Sequence, residues 1–220
     1  MLSHYTPIDI ISIDENSKKL ILENDIYKQY EINILVKSHY IFPPISSTKR
    51  KIMIDETYDD YKQFIQNYDK NKDKWIYNII DKISEQENII FRDDKYIFIP
   101  TFTWDKSINN LHILGFPIDK SLRSLRDLIQ KDIIMLKEIK KIGLNIIYKN
   151  YGLTDNELKI YIHYNPSTYH LHIHFVNITY VSVCSSVEYS HLLDTIIFNL
   201  ELDNYYYQKI NLKIENKNIQ

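Results

Sequence analysis

Three histidines alternate with three large apolar residues in the C-terminal third of this chain. The run is His170, Leu171, His172, Ile173, His174 and Phe175. Successive side chains of a β-strand point to opposite faces, so this spacing predicts a strand with one imidazole face and one apolar face. The apolar face would anchor the strand in a core. The other face would offer imidazoles to one ligand as nucleophile, acid or base.

Composition limits the kind of protein. The 220 residues suffice for one large domain, or one domain with a smaller appendage. A net charge of −2 argues against electrostatic binding of long nucleic acid but allows a local pocket for a small anion. The one cysteine, Cys184, excludes an internal disulfide and fits a reducing compartment. Without a signal-like start or an apolar run of ~20 residues, the sequence predicts a soluble intracellular protein that does not contact membranes. The cytoplasm is the expected compartment, with the nucleus as an alternative.

The apolar pattern predicts an α+β fold, with an antiparallel sheet flanked by helices. Residues 1–55 are typical of a small β-rich N-terminal segment, and residues 56–220 are predicted to form the main domain. Strands are predicted at 8–13, 19–23, 30–36, 88–91, 96–99, 111–116, 158–164 and 210–214, besides the histidine strand. Helical spacing marks a helix from Trp75 to Ile83, and the longest helix is predicted at 129–151 with Gly152 as its C-cap. Ser190 is predicted to cap a last helix that ends near Leu200.

The histidine run has three interpretations. Three histidines at period two, interleaved with large apolar residues, argue against a purely structural role. A metal site is disfavoured, because alternate residues of one strand place the outer Cα atoms about 13 Å apart, whereas zinc–nitrogen bonds are about 2.0–2.1 Å. We predict neither a metal nor another cofactor.

Phosphate chemistry is the third interpretation. His172, in the centre, could attack phosphorus and carry a covalent nucleotidyl group. His170 and His174 could bind non-bridging oxygens or hold the active ring, and His163 on the preceding strand could reach the same phosphates. Ser167, in the turn before the run, offers a hydroxyl and a backbone N–H to an anion. Positioning and charge stabilisation carry most of the catalysis in such reactions.

Beyond the histidines, several motifs resemble the scavenger mRNA decapping enzymes, a family of the histidine triad superfamily. Residues 163–175 (HYNPSTYHLHIHF) are similar to the family's C-terminal motif, and residues 124–128 (SLRDL) to its R-S-L-R-D-L segment. Residues 75–82 (WIYNIIDK) resemble W-V-Y-N-I-L-D-K. Further matches at 56–61 and 191–201 follow in the family's order, so the resemblance covers about residues 56–201.

The resemblance implies hydrolysis of a 5′-cap remnant, m7GpppN, to m7GMP and a nucleoside diphosphate, with His172 as nucleophile. It also implies that Trp75 and Phe102 stack on either side of the methylated guanine, and that Glu85 binds the guanine edge. Pro100 matches the proline that begins the family's P-D-L-K-W segment. Stacking a base on an aromatic ring is worth about 1–3 kcal/mol. A helix running on to Glu85 would place it about 15 Å from Trp75, so the helix must end before Glu85 for both to touch one base.

The sequence departs from the family pattern at cationic and acidic positions. In the P-D-L-K-W segment, Thr101 replaces the family's acidic residue and Thr103 replaces its lysine. Thr168 replaces a tyrosine that precedes the triad in the family, and Tyr189 replaces a basic residue before the family's A-H-L-L segment. Two other functions therefore stay open: hydrolysis of another dinucleoside polyphosphate, and cap binding without hydrolysis. The resemblance further implies a homodimer that takes a capped dinucleotide or a short capped oligoribonucleotide.

The composition is typical of an AT-rich genome, such as that of a parasite or a large DNA virus, because the chain has no alanine and is rich in Ile, Asn, Lys and Tyr. For a virus, the host-cell cytoplasm is the expected location.

Overall fold

The structure is a computed structural model that describes residues 18–23 and 28–32 as backbone, and residues 52–181 and 185–216 with side chains. The chain divides into two compact units, Met1–Ile52 with Lys217–Gln220, and Met53–Asn216. The division falls slightly before the boundary expected after residue 55. The reason is that residues 53–56 form a strand that pairs within the larger unit.

In the smaller unit, β1 (Lys18–Glu23) and β2 (Lys28–Ile32) form an antiparallel hairpin with Lys18 opposite Ile32. The strand predicted at 19–23 is confirmed. The strand predicted at 30–36 is observed over residues 30–32 and begins earlier, at Lys28, whereas residues 33–36 lie outside the described residues. The strand predicted at 8–13 lies outside the described residues.

The larger unit contains two antiparallel sheets. Its strands are β3 (Met53–Glu56), β4 (Phe91–Arg92), β5 (Tyr96–Pro100), β6 (His112–Pro117), β7 (Leu158–His163), β8 (Ile173–Asn177), β9 (Ser190–Leu192) and β10 (Leu212–Glu215). Its helices are α1 (Tyr58–Gln66), α2 (Lys74–Ile80), α3 (Ile133–Tyr151), α4 (Leu193–Leu202) and α5 (Tyr206–Lys209). Strand β3 pairs with β10, and the main sheet has the order β4-β5-β6-β8-β7-β9. Its neighbouring strands all run antiparallel, which confirms the α+β class.

Helix α3 packs closely against one face of the main sheet. A Cβ atom on Gly143 would lie only 2.5 Å from ring carbons of Phe175 in β8, so glycine permits this approach. Gly152 ends the helix with φ of 73°, and its N–H donates to the Tyr148 carbonyl at 2.9 Å, as the predicted C-cap requires. The predicted start at residue 129 is wrong. Helix α3 begins at Ile133, because Asp132 accepts the Ile129 N–H and holds residues 130–132 in a 3₁₀ turn.

Helix α2 packs on the opposite face. Ile76, Ile79 and Ile80 are buried there, against a cluster formed by Ile97, Ile99, Leu114 and Phe116. The helix predicted from Trp75 is therefore confirmed, but its extension to Ile83 is wrong. Ile83 lies beyond the last helical residue, Ile80, and is 70% exposed.

The C-terminal segment differs from its prediction at one point. Ser190 does not cap a helix: it lies in β9 opposite His163 of β7, and α4 begins only at Leu193. Pairing with β7 holds residues 190–192 in an extended conformation, so the helix begins only after them. In the described ranges, no helix is long and apolar enough to cross a bilayer.

A buried ion pair joins β3 to the rest of the larger unit. Arg126 is fully buried, and its guanidinium donates to the Glu56 carboxylate at 3.1 Å and to the Glu56 carbonyl at 2.6 Å. It also donates to the carbonyls of Tyr207 and Ile210 at 2.8 and 2.7 Å. The Tyr164 hydroxyl donates to the same Glu56 carboxylate. We call these five residues the Arg126 network.

Candidate active site

The alternation of residues 170–175 is observed as expected. Leu171, Ile173 and Phe175 are buried in the core on the α3 side. The backbone of this run is less regular than a continuous strand: β8 begins only at Ile173, after two of the three histidines. The cause is a change of partner, since the Leu171 N–H donates to the Leu122 carbonyl of a loop rather than to a sheet strand.

His172 is held in one tautomer. Its Nδ1 lies 2.7 Å from the His170 carbonyl oxygen, which can only accept, so Nδ1 carries the hydrogen and Nε2 the lone pair. Burial lowers the pKa of His172, although the His170 carbonyl and the charge of Asp73 oppose that shift. A neutral imidazole with a fixed Nδ1–H has the form that a nitrogen nucleophile needs.

His170 holds its neighbour through the backbone. Its own Nε2 donates to the Pro117 carbonyl at 2.8 Å, and its ring lies edge-on to Tyr77 and Phe116 at 5.7 and 5.8 Å between centroids. Burial lowers the pKa of His170 to about 4, so the ring is neutral at physiological pH. Of the two roles considered for His170, this geometry favours holding the active ring of His172.

His174 presents a buried nitrogen to the site. Its ring lies 5.0 Å from that of His172 and stacks in parallel on Tyr161 at 4.9 Å. Its Nδ1 lies 2.8 Å from Nε2 of His112 in β6. Within residues 52–181 and 185–216, no protein group reaches the buried Nε2 of His174. Burial and the neighbouring imidazoles hold the pKa of His174 well below its usual value.

His112 is a residue that the sequence analysis missed. Burial lowers its pKa to about 4, and the charges of His172 and Lys159 act in the same direction. The signal was present: His112, Leu114 and Phe116 alternate in β6, and Leu114 lies directly opposite His174. Strand periodicity puts His112 on the same face of β6 as Leu114, and the pairing of Leu114 with His174, which the structure shows, makes this the histidine face.

His163, predicted to reach the same phosphates, lies beside the triad. It ends β7, and its ring is edge-on to His174 at 6.3 Å and to Tyr189 at 5.3 Å. The structure therefore groups His112, His163, His172 and His174 on one face. In the described part of the chain, no three histidine, cysteine or acidic side chains are placed to share a metal ion.

Trp75 is connected to the segment that leads into the triad. The half-buried indole donates from Nε1 to the Thr168 hydroxyl at 3.1 Å. Two residues earlier, buried Asp73 accepts the Tyr169 N–H at 2.8 Å and the Tyr68 hydroxyl at 2.8 Å. Burial raises the pKa of Asp73. These contacts place the predicted base-stacking residue next to the segment that leads into the histidine triad.

The other predicted binding residues occupy turns. Helix α2 ends at Ile80 and Glu85 has a left-handed φ of 56°, so the helix stops before Glu85, as simultaneous contact with one base requires. Pro100 ends β5 opposite Ile113, and Phe102 follows in a turn. Ser167 is exposed in the turn before the triad. Contact of these four residues with a ligand stays a prediction.

Comparison with known proteins finds relatives that match the part of the chain carrying these residues. The family model described as "Scavenger mRNA decapping enzyme C-term binding" matches residues 74–190, which include the triad and Trp75. An m7GpppX diphosphatase of Caenorhabditis elegans is 35% identical over 218 residues, covering 90% of this chain and 70% of that protein. The m7GpppX diphosphatase of Rattus norvegicus is 33% identical over 210 residues, covering 87% and 62%. The chain thus spans about two thirds of the length of these relatives.

Among solved structures, the aprataxin ortholog Hnt3 in complex with DNA is similar, with a TM-score of 0.44 and 19% identity. The match covers 59% of this chain and 76% of that chain.

Proposed function

The chain belongs to the scavenger mRNA decapping enzyme family, and on that premise we propose that it hydrolyses the cap remnant m7GpppN to m7GMP and a nucleoside diphosphate. The observation that carries this proposal is the state of His172: a neutral ring whose Nδ1–H is fixed by the His170 carbonyl. That arrangement leaves Nε2 as the nucleophilic atom. Hydrolase activity on capped nucleotides is what the relatives' names describe.

The proposed reaction has two displacements. Nε2 of His172 attacks the phosphorus next to the methylated nucleoside, an N–P bond forms, and the P–O bond to the nucleoside diphosphate breaks. Water then attacks the same phosphorus, the N–P bond breaks, and m7GMP leaves with the water oxygen. His172 returns to its neutral form.

His174 supports both steps in this proposal. In this proposal His112 Nε2 donates to His174 Nδ1, 2.8 Å away, which puts the hydrogen of His174 on Nε2, the buried atom left without a protein partner in the described ranges. An N–H held there can donate to a non-bridging phosphate oxygen, where charge accumulates in the transition state. His163, at the edge of the same face, is placed to bind the adjacent phosphate.

The cap base is proposed to stack on Trp75, with Phe102 on its other side and Pro100 shaping the turn that carries Phe102. A desolvated cation–π contact with the methylated ring can add about 2 kcal/mol to stacking. Glu85 accepts hydrogen bonds from the guanine edge, and Ser167 binds phosphate. Thr101 and Thr103 replace charged residues of the family pattern, so we expect weaker binding of the phosphates. Substrate preference is therefore the property to measure.

Product analysis tests the proposal. Purified protein is incubated with m7GpppG, and the products are separated. We expect m7GMP and GDP from the wild type, and none from His172→Asn, which still binds m7GMP. Equal rates on unmethylated GpppG or ApppA would identify a general dinucleoside polyphosphate hydrolase instead. Tight binding without turnover in the wild type would identify a cap-binding module.

Assembly and location are further proposals. We propose a cytoplasmic homodimer that acts on capped dinucleotides or short capped oligoribonucleotides, as the family resemblance implies. Light scattering coupled to size-exclusion chromatography would give twice the 26.5 kDa chain mass for a dimer. A monomer mass at micromolar concentration would contradict the assembly but not the chemistry.

A further inference from the structure

Helix α2 is joined to the segment that precedes the triad by two hydrogen bonds between buried or half-buried groups. The Trp75 indole donates to the Thr168 hydroxyl at 3.1 Å, and Asp73 accepts the Tyr169 N–H at 2.8 Å. Asp73 and Thr168 are 0% and 3% exposed, so water does not compete for these bonds. We call Asp73, Trp75, Thr168 and Tyr169 the Trp75 clamp.

The clamp links base position to phosphate position. Thr168 precedes His172 by four residues, which can span at most about 14 Å of chain. The Thr168 hydroxyl holds the indole, and the His170 carbonyl holds the His172 ring on the same short segment. A shift of the indole therefore moves a stacked base relative to His172.

Thr168 suits this role by its chemistry. A β-branched side chain is stiff at χ1, so its hydroxyl is a fixed acceptor rather than a mobile one. Tyr68 supports the same segment from the other side, because its hydroxyl donates to Asp73 at 2.8 Å and lies 3.4 Å from the Ser167 carbonyl. The Thr168 hydroxyl and the backbone segment around it are therefore both held in place.

We propose that Thr168 is a positioning residue for the cap base: its hydroxyl sets the plane of the Trp75 indole and thereby its affinity for a methylated guanine. This inference rests on the proposed function and deepens it. Thr168 acts through Trp75 and does not contact the reacting atoms.

Calorimetric binding of m7GMP tests the inference without requiring turnover. Thr168→Val keeps the shape and removes the acceptor, and we expect it to weaken m7GMP binding about three- to tenfold, the loss typical of one hydrogen bond. Thr168→Ser restores the hydroxyl and should recover most of that affinity. Thr154→Val removes a threonine hydroxyl from an exposed turn and is the matched control that should bind like the wild type.

A double-mutant cycle separates the clamp from general loss of packing. Trp75→Phe keeps an aromatic ring but lacks Nε1–H, so adding Thr168→Val to it should cause no further loss of m7GMP affinity. If Thr168→Val fails to fold, Thr168→Ala removes the same acceptor and takes its place in the cycle. Wild-type affinity in Thr168→Val, or full additivity in the cycle, would overturn the inference. Hydrolysis of m7GpppG by the wild type would be unaffected by that outcome.

Discussion

The Arg126 network and the histidine face are both buried polar clusters, but they differ in how completely their atoms are paired. Arg126 directs its guanidinium to the Glu56 carboxylate and to three backbone carbonyls. On the histidine face, His170 Nδ1 and His174 Nε2 are buried without a protein partner in the ranges that the structure describes. An unpaired buried polar atom costs about 1–3 kcal/mol.

This difference distinguishes a structural cluster from a catalytic one. The Arg126 network has no capacity left for a ligand, so its bonds hold β3 and the C-terminal segment in place. The histidine face keeps His174 Nε2 open, and in the proposed reaction this nitrogen donates to a phosphate oxygen. The apolar side of residues 171–175 anchors the segment in the core. The comparison predicts that changes to the first cluster affect stability and changes to the second affect turnover.

The largest expected effect is on the nucleophile. His172→Asn removes the attacking nitrogen and should lower kcat for m7GpppG by at least about 10⁴-fold, as loss of a covalent nucleophile does. His191→Asn is the matched control, because His191 lies in β9 beside Tyr164 and Tyr207, and it should stay within about twofold of the wild type. Steady-state kinetics measure both. Comparable rates for the two variants would show that His172 is not the nucleophile.

The next effect is on the fold. Arg126→Met leaves the Glu56 carboxylate buried and uncompensated, so the free energy of unfolding should fall by about 3–5 kcal/mol. Lys213→Met removes the neighbouring exposed ion pair with Asp55 and should cost no more than about 1 kcal/mol. Urea titrations compare the two variants, and equal midpoints would mean that the Arg126 network does not stabilise the fold as described.

A smaller effect on turnover is expected at His112, which contacts His174 from β6. His112→Phe removes the hydrogen-bond partner of His174 Nδ1, the proposed donor, and should lower kcat/KM about tenfold, the equivalent of one hydrogen bond. His112→Gln keeps an N–H donor and should retain most of the activity. If both variants are equally slow, the bond to His174 is not what matters at this position.

The smallest effect is on the pH dependence of stability. The folded-state pKa of His112 is lowered to about 4 by burial, whereas an unfolded histidine has a pKa of about 6.5. As pH falls from 7 to 5.5, the unfolded chain therefore gains a proton that the folded chain does not, and stability decreases. His112→Phe lacks this contribution, so its free energy of unfolding should fall about 1 kcal/mol less over that interval.

Paired urea titrations at the two pH values measure this difference. Burial raises the pKa of Asp73 and Asp127, which acts in the opposite direction, but both groups are shared by the two proteins. Parallel decreases would contradict a neutral, buried His112.

The alternation of residues 170–175 was sufficient to predict the two faces, because strand periodicity depends on local geometry alone. Strand β5 and the Gly152 cap were predictable for the same reason, whereas the strand predicted at 88–91 is only Phe91–Arg92, because residues 86–88 form a 3₁₀ turn. Sequence could not show that the Leu171 N–H donates to the Leu122 carbonyl of a loop instead of a sheet strand, nor that His112 lies against His174, since both depend on non-local pairing. Helix ends were mispredicted at Ile83 and Ser190, where packing and edge pairing outweigh local pattern.

Stereochemistry at phosphorus tests the central claim most directly. A single diastereomer of m7GpppG with sulfur on the phosphorus next to the methylated nucleoside is hydrolysed in ¹⁸O-water, and the configuration of the m7GMP phosphorothioate is determined. Attack by His172 followed by attack by water inverts the phosphorus twice, so we predict net retention. Net inversion would mean that water attacks directly and that no nucleotidyl–histidine forms.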